Sequence, residues 1–400
     1  MRRTRLPFSL ASIGEEEIAE VVDTLRSDWL TTGPKAAQFE QEFTAAVNAP
    51  AALALNSGTA ALHVALAALG IGPGDFVVTT PMTFCSTVHV IEQSGARPIL
   101  VDIEPDTLNI DSAKIKKAIT ESDSPDRIKA ILPVHLYGHP CDMQSLTEIA
   151  AQQNLAIVED AAHALPASFQ GRIIGSGFSG SIPWMTCFSF YATKNLTTTE
   201  GGMLTGPTDL IAESRLWSLH GIDRDAWTRD QNNASWFYEV IRPGFKYNMT
   251  DLQAAIGLHQ LRKLKTFHQR RREIAAQYNQ AFNRFEHFEL PAEREDAQHA
   301  WHLYVLRLRL ERMSISRDQF IEELGARNIF TSVHFIPVHL HPYYRDKYCY
   351  RPESFPIAYH EYQRMISLPI YPRMSDGDVA DVIEAVIEVA KKVTVRPAYV

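Results

Sequence analysis

Four short apolar runs, separated by stretches with helical spacing, do most to limit what this chain can fold into. Phe76 to Thr80, Arg97 to Asp102, Ala130 to Val134 and Leu155 to Val158 read as short strands. Strands that alternate with helices in this way point to an α/β sheet with many parallel strands. Ligands of such sheets collect outside the carboxyl ends of the strands. Asp160 follows the last of these runs, so it stands where a ligand-facing carboxylate would stand. The plainer use of an aspartate there is to cap the next helix.

The rest of the chain has a different texture. Thr250-x-x-Gln253 opens a helix carrying Leu252, Ile256, Leu261 and Leu264. Beyond it, Trp301 to Leu308 alternates like a half-exposed strand, Ser316-x-x-Gln319 caps a helix ending at Gly325, and Ser375 begins a closing helix. That α+β order predicts two units, a large one over 1–250 and a smaller C-terminal one over 251–400. A chain of 400 residues has core enough for both. At the other end, Ser12-x-x-Glu15 predicts a capping box, with Ile18, Val21, Val22 and Leu25 on one apolar face.

Two stretches carry chemistry. Cys187 to Met203 reads as a strand running into a small-residue segment with Lys194 just past the strand end. Among weakly polar neighbours a lysine loses affinity for its proton, and a neutral amine can form a Schiff base with an aldehyde. Asn56-Ser57-Gly58-Thr59-Ala60-Ala61 stands between an apolar run and a helical face ending at Gly70. Backbone amides at such a helix tip, with the hydroxyls of Ser57 and Thr59, would hold a phosphate; an ordinary N-cap is the simpler reading.

Other signals are weaker. Gly175-Ser-Gly177-Phe-Ser-Gly180 matches a dinucleotide fingerprint, but a strand rather than a helix follows, so it reads as a loop. His334, His339 and His341 lie in an extended stretch with Pro337 and lack the spacing of a helical zinc pair, so no metal is expected. The four cysteines form no C-x-x-C pair, which suits a reducing compartment. A net charge of -8 argues against general nucleic-acid binding. The N-terminus lacks a signal-peptide pattern and no run makes a good membrane span, so a cytoplasmic protein is expected.

Taken in order, the motifs resemble the DegT/StrS family of sugar aminotransferases. The resemblance is carried by Asn56 to Leu62, Thr80 to Phe84, Pro133 to Gly138, Glu159 to Ala164, Phe188 to Asn195, Glu200 to Met203, Gly244 to Asp251 and Thr331 to Phe335. It implies the aspartate-aminotransferase fold, with a mostly parallel seven-stranded sheet between helices in the large domain. It implies pyridoxal 5'-phosphate (PLP) as cofactor, alternating with its pyridoxamine form (PMP). Lys194 would hold the cofactor and move the proton as general base and acid. Asp160 would pair with the pyridine nitrogen, His163 would lie against the phenolic oxygen, and Phe84 would stack on the ring. Thr59, Ser189 and the amides of Gly58 and Ala60 would take the phosphate. From the partner subunit of a homodimer, Asn248 would reach the phosphate, with Lys246 as the alternative. The implied substrates are a nucleotide-linked keto sugar, aminated at C4, and L-glutamate as donor. Arg229, Lys246 and His334 are the candidates to meet the sugar or its diphosphate. A related sugar dehydratase would carry histidine in place of Lys194, and a non-catalytic relative would have no need of Asp160, His163, Ser189 and Lys194 together.

Overall fold

The computed structural model describes residues 2–178, 180, 182–223 and 237–394. Its central sheet draws on β1 (Ala51–Leu55), β2 (Phe76–Thr79), β3 (Arg97–Leu100), β4 (Ile128–Ile131) and β5 (Ala156–Asp160). A small hairpin, β6 (Ser168–Phe169) and β7 (Arg172–Ile173), precedes β8 (Trp184–Ser189) and β9 (Gly202–Gly206). The seven strands lie in the order β1-β9-β8-β5-β4-β2-β3, and only β9 runs antiparallel to its neighbours. Strands buried on both faces are expected to be apolar throughout, and β1, β2 and β8 are nearly so.

Helices cover both faces. They are α1 (Glu15–Arg26), α2 (Pro34–Val47), α3 (Gly58–Ala68), α4 (Ser86–Gln93), α5 (Ser112–Thr120), α6 (Met143–Gln153) and α7 (Thr208–Ser218). In α3 every residue from Ala60 to Leu66 is buried, as befits a helix apolar all round. Helix α8 (Asp251–Phe282) starts at a Thr250–Gln253 capping box, as its sequence predicts. Its first half packs Ala254, Leu258 and Leu261 into the core beneath the sheet, and its second half puts Ile274, Tyr278 and Phe282 into another. That second core is closed by β10 (Phe288–Glu289), β12 (Tyr304–Leu308) and β13 (Met365–Leu368), by α9 (Arg317–Gly325) and by α12 (Asp376–Val393). Between them lie a short strand, β11 (Ala297–Gln298), paired with β6, and two further helices, α10 (Pro342–Tyr348) and α11 (Pro356–Arg364). The N-terminal segment joins the second core through Leu6, which bridges to Ile329.

Three local expectations need correction. Strand β12 is buried along its whole length, not half-exposed, because it is the middle strand of three and its Arg307 is held by Glu289 and Glu361. Helix α1 is capped at Gly14, whose N–H donates to Glu17, and not at Ser12. Its inward face is also the polar one. Glu17 and Thr24 are buried, with Glu17 bonded to Lys263 and Gln260 of α8, while Ile18, Val22 and Leu25 are exposed. Gly175, Gly177 and Gly180 lie between β7 and β8, and among the described residues no helix separates them from β8. Among the described residues no helix is long and apolar enough to cross a membrane.

Candidate active site

Because β5 and β8 are parallel, their carboxyl ends fall on one side of the sheet, beside the N-terminal tip of α3. They open into a cavity of about 490 Å³ lined by Gly58, Thr59, Phe84, Asp160, His163, Ser189, Lys194 and His334. Residues more than 270 positions apart in sequence therefore share one wall.

The loop after β8 is held in place from both sides. Phe190 N–H donates to Gly201 O, and Lys194 N–H donates to Tyr191 O. Next to the lysine, the Asn195 amide donates to Leu165 O at 2.8 Å and to Ala300 O at 2.9 Å. Lys194 itself makes no side-chain hydrogen bond or ion pair with any described residue. Burial brings its ammonium down to about 8, against a smaller opposing pull from Asp160.

Asp160 ends β5. One carboxylate oxygen accepts from the Thr87 hydroxyl at 2.8 Å and the other from Ala162 N–H at 3.1 Å. Burial raises its pKa while these two donors work against the rise. Thr87 spends its only hydrogen on Asp160, so the Thr83 hydroxyl, 2.7 Å away, donates to Thr87. Neither threonine was picked out from the sequence. Thr87 carries no motif, and only its place in the first turn of α4 brings it to the strand end.

His163 has a fixed tautomer. Its Nδ1 accepts from Tyr137 N–H at 3.2 Å, so in the neutral ring Nε2 carries the proton. Burial and the nearby Lys194 hold the imidazole neutral, with its pKa well below the usual histidine range. His334 is likewise pushed down to about 4 by burial, and its Nδ1 lies 2.9 Å from the Ser367 hydroxyl. Phe84 is 56% exposed at the cavity and meets Phe335 at a ring distance of 5.9 Å.

At the tip of α3 the Ser57 hydroxyl oxygen accepts from Ala60 N–H at 3.0 Å. Ser57 is thus the N-cap, and the Ala60 amide is already used. Gly58 and Thr59 N–H, the Thr59 hydroxyl and the Ser189 hydroxyl are left for an anion. A Cβ on residue 58 would stand 2.8 Å from the Ser189 Cβ, so glycine is needed for helix and strand to approach this closely. An anion cradle, a buried carboxylate, a neutral imidazole N–H and an unpaired lysine together fit a phosphorylated pyridine aldehyde.

Not every expected residue is here. Ala60, Lys246 and Asn248 do not line the cavity. Lys246 is exposed and donates to the Asn248 side-chain oxygen, and the Asn248 amide donates to the Thr32 hydroxyl at 2.7 Å. Arg229 lies outside the described residues. His339 is buried against Phe355 and bonds Pro352 O, away from His334. Among the described residues no arginine lines the cavity. His302 and Phe335, which the sequence did not single out for the site, do line it.

Known proteins resemble this chain in sequence and fold. The model of the DegT/DnrJ/EryC1/StrS aminotransferase family matches residues 11–387. The spore coat polysaccharide biosynthesis protein SpsC of Bacillus subtilis is 50% identical over 388 residues, 96% of this chain and 97% of its own. Spr1654 from Streptococcus pneumoniae, in its PMP form, superposes with a TM-score of 0.88 at 35% identity, covering 97% of this chain and 99% of its own. Helicobacter pylori PseC, an aminotransferase involved in the biosynthesis of pseudoaminic acid, superposes at 0.87 with 25% identity, over 97% of this chain and all of its own. The chain belongs to the DegT/DnrJ/EryC1/StrS aminotransferase family, as a sugar aminotransferase that works with pyridoxal phosphate.

Proposed function

We propose that the protein transfers the amino group of L-glutamate to the C4 keto carbon of a nucleotide-linked sugar, in the making of an amino sugar. The observation that carries the transfer chemistry is the unpaired Lys194 amine in one cavity with the buried Asp160 carboxylate. PLP, when bound, supplies the electron sink that lets a carbon–hydrogen bond next to nitrogen be broken. Asp160 keeps the pyridine nitrogen protonated, which its two hydrogen-bond donors favour by holding the carboxylate charged. His163 Nε2–H would donate to the phenolic oxygen, and Phe84 would stack on the ring. Gly58 and Thr59 N–H, with the hydroxyls of Thr59 and Ser189, bind the phosphate. Lys194 Nζ would hold the cofactor and would move the proton between the substrate carbon and the cofactor as general base and acid. Its lowered pKa leaves an appreciable share of free amine near neutral pH.

The sugar nucleotide and the donor carboxylate need more positive charge than this wall offers, since among the described residues Lys194 is the only lysine lining it and no arginine does. That shortage supports a homodimer in which Asn248, or Lys246, reaches the partner's site, with Arg229, Lys246 and His334 meeting the sugar or its diphosphate. The exposed apolar face of α1 supports the same assembly. We assign residues 1–250 to the cofactor-binding unit and 251–400 to the smaller unit, with α8 shared between their cores, and the protein to the cytoplasm.

The test is the visible spectrum of the PLP-loaded protein before and after L-glutamate, followed by a panel of nucleotide-linked 3-keto and 4-keto sugars. Bleaching to the pyridoxamine form and turnover of a 4-keto sugar are expected. A spectrum that glutamate leaves unmoved would exclude that donor, and turnover confined to 3-keto sugars would overturn the C4 assignment.

A further inference from the structure

His302 has no part in the proposed chemistry, yet its protonation state is fixed by its neighbours. Both hydrogens of the Asn195 amide are spent on the carbonyls of Leu165 and Ala300. The Asn195 oxygen, 3.1 Å from His302 Nδ1, can only accept. His302 Nδ1 therefore carries the ring's proton. Burial, His163 and Lys194 all disfavour a second proton, so Nε2 is left as a bare lone pair.

That lone pair has no partner among the described residues, although the residue lines the cavity. The ring lies over His163 at 4.4 Å between centroids, tilted by 37°, and no hydrogen bond joins the two. Its backbone is equally fixed. Arg271 donates to the carbonyls of Trp301 and His302 at 3.1 Å and of Ile370 at 2.8 Å. Gly138 allows the close packing, since a Cβ there would stand 3.2 Å from His302 N. Two neighbouring rings that line the cavity thus carry one fixed donor, His163 Nε2–H, and one fixed acceptor, His302 Nε2. For a purely structural histidine, an acceptor that no described residue matches is costly in a sheltered place.

We propose that His302 is a substrate-contact residue whose Nε2 accepts a hydrogen bond from a hydroxyl of the sugar. This rests on the sugar being the second substrate and deepens that reading. The contact serves the sugar half of the cycle and is idle in the amino-donor half. Asn195 is its positioning residue, since it selects the tautomer.

The test has one arm that needs no substrate. In PLP-loaded protein carrying 15N-labelled histidine, the ring nitrogens of His302 should show a protonated Nδ1 and a bare Nε2; a protonated Nε2 would overturn the proposal. In the second arm, His302→Phe keeps an aromatic ring without nitrogen, and His302→Asn keeps a donor toward Asn195 but is too short to place an acceptor where Nε2 stood. Both should raise KM for the keto sugar that the panel identifies about tenfold or more, while the rate of the L-glutamate half-reaction and the PLP spectrum stay as in the parent. An unchanged sugar KM in both variants, or equal losses in the two half-reactions, would overturn it. Failure of every sugar in the panel would instead count against the proposed function, and the tautomer arm would still be read.

Discussion

At the scale of single residues, two groups can be tested directly. Lys194→Ala should abolish turnover while PLP still binds non-covalently, as seen by activity and by the loss of the lysine-linked absorption; full activity would remove Lys194 from the mechanism. The lysine also has a cost in the cofactor-free protein. Its folded pKa is lowered from 10.5 to about 8, so the folded state binds fewer protons between those values than the unfolded state does. Stability from this group therefore rises as pH climbs from 8 to 10.5, and the penalty of the buried ammonium is fully present below 8. Cofactor-free Lys194→Met should be the more stable protein at pH 7 by about 1–3 kcal/mol, with the gap closing above pH 10. Urea denaturation at pH 7 and pH 10 measures this, and a gap that widens with pH would refute it. Asp160→Asn should slow turnover about a hundredfold or more with little change in Tm, because an amide cannot keep the ring nitrogen protonated.

At the scale of elements, the site depends on how the first turn of α4 meets the end of β5. Thr87→Val keeps the shape but removes the hydroxyl that holds the Asp160 carboxylate. Losing a donor to the charged form raises a carboxyl pKa, so the acid limb of the pH–rate profile should move up by about one unit, and the loss of rate should shrink as pH rises. An acid limb left in place would show that Thr87 does not tune Asp160. This contact also marks what could be read beforehand. The strands were legible because short apolar runs between helical stretches have few alternatives, and Asp160 and Lys194 were legible because each follows such a run. Thr87, Thr83 and His302 were not, since their roles come from a register between distant elements that no local pattern encodes. The helix starts at Thr250, Ser316 and Ser375 were local signals and were legible. The alternation from Trp301 to Leu308 misled because a buried ion-pair cluster around Arg307 looks, in sequence, like a solvated face.

At the scale of the whole molecule, α1 poses the question of what covers it. Its periodicity was legible, but its orientation was not, because the polar face is the one drawn inward by Lys263 and Gln260. Ile18 is 49% and Leu25 57% exposed, with Leu10, Ile13 and Leu30 also exposed nearby in sequence. Apolar side chains grouped on one helix face mark an interaction surface more often than chance exposure. A second copy of this chain is the occupant that the proposed shared site requires, since Asn248 and Lys246 do not line their own subunit's cavity. Replacing Ile18 and Leu25 together by glutamate should leave the fold intact, because neither side chain is part of a core. The same change places two charges where a partner would have to desolvate them. Sedimentation should then shift from a dimer to a species of about 45 kDa, the mass of one chain. Turnover should fall with it, and PLP should bind more weakly, as the phosphate loses its contact from the partner. If the doubly substituted chain remains dimeric and active, α1 lies outside the interface, and the search moves to the exposed aromatic groups beside the cavity, Phe84 and Tyr191. If it becomes monomeric yet keeps full activity, the shared-site proposal fails while the interface stands, because a complete site would then lie within one chain.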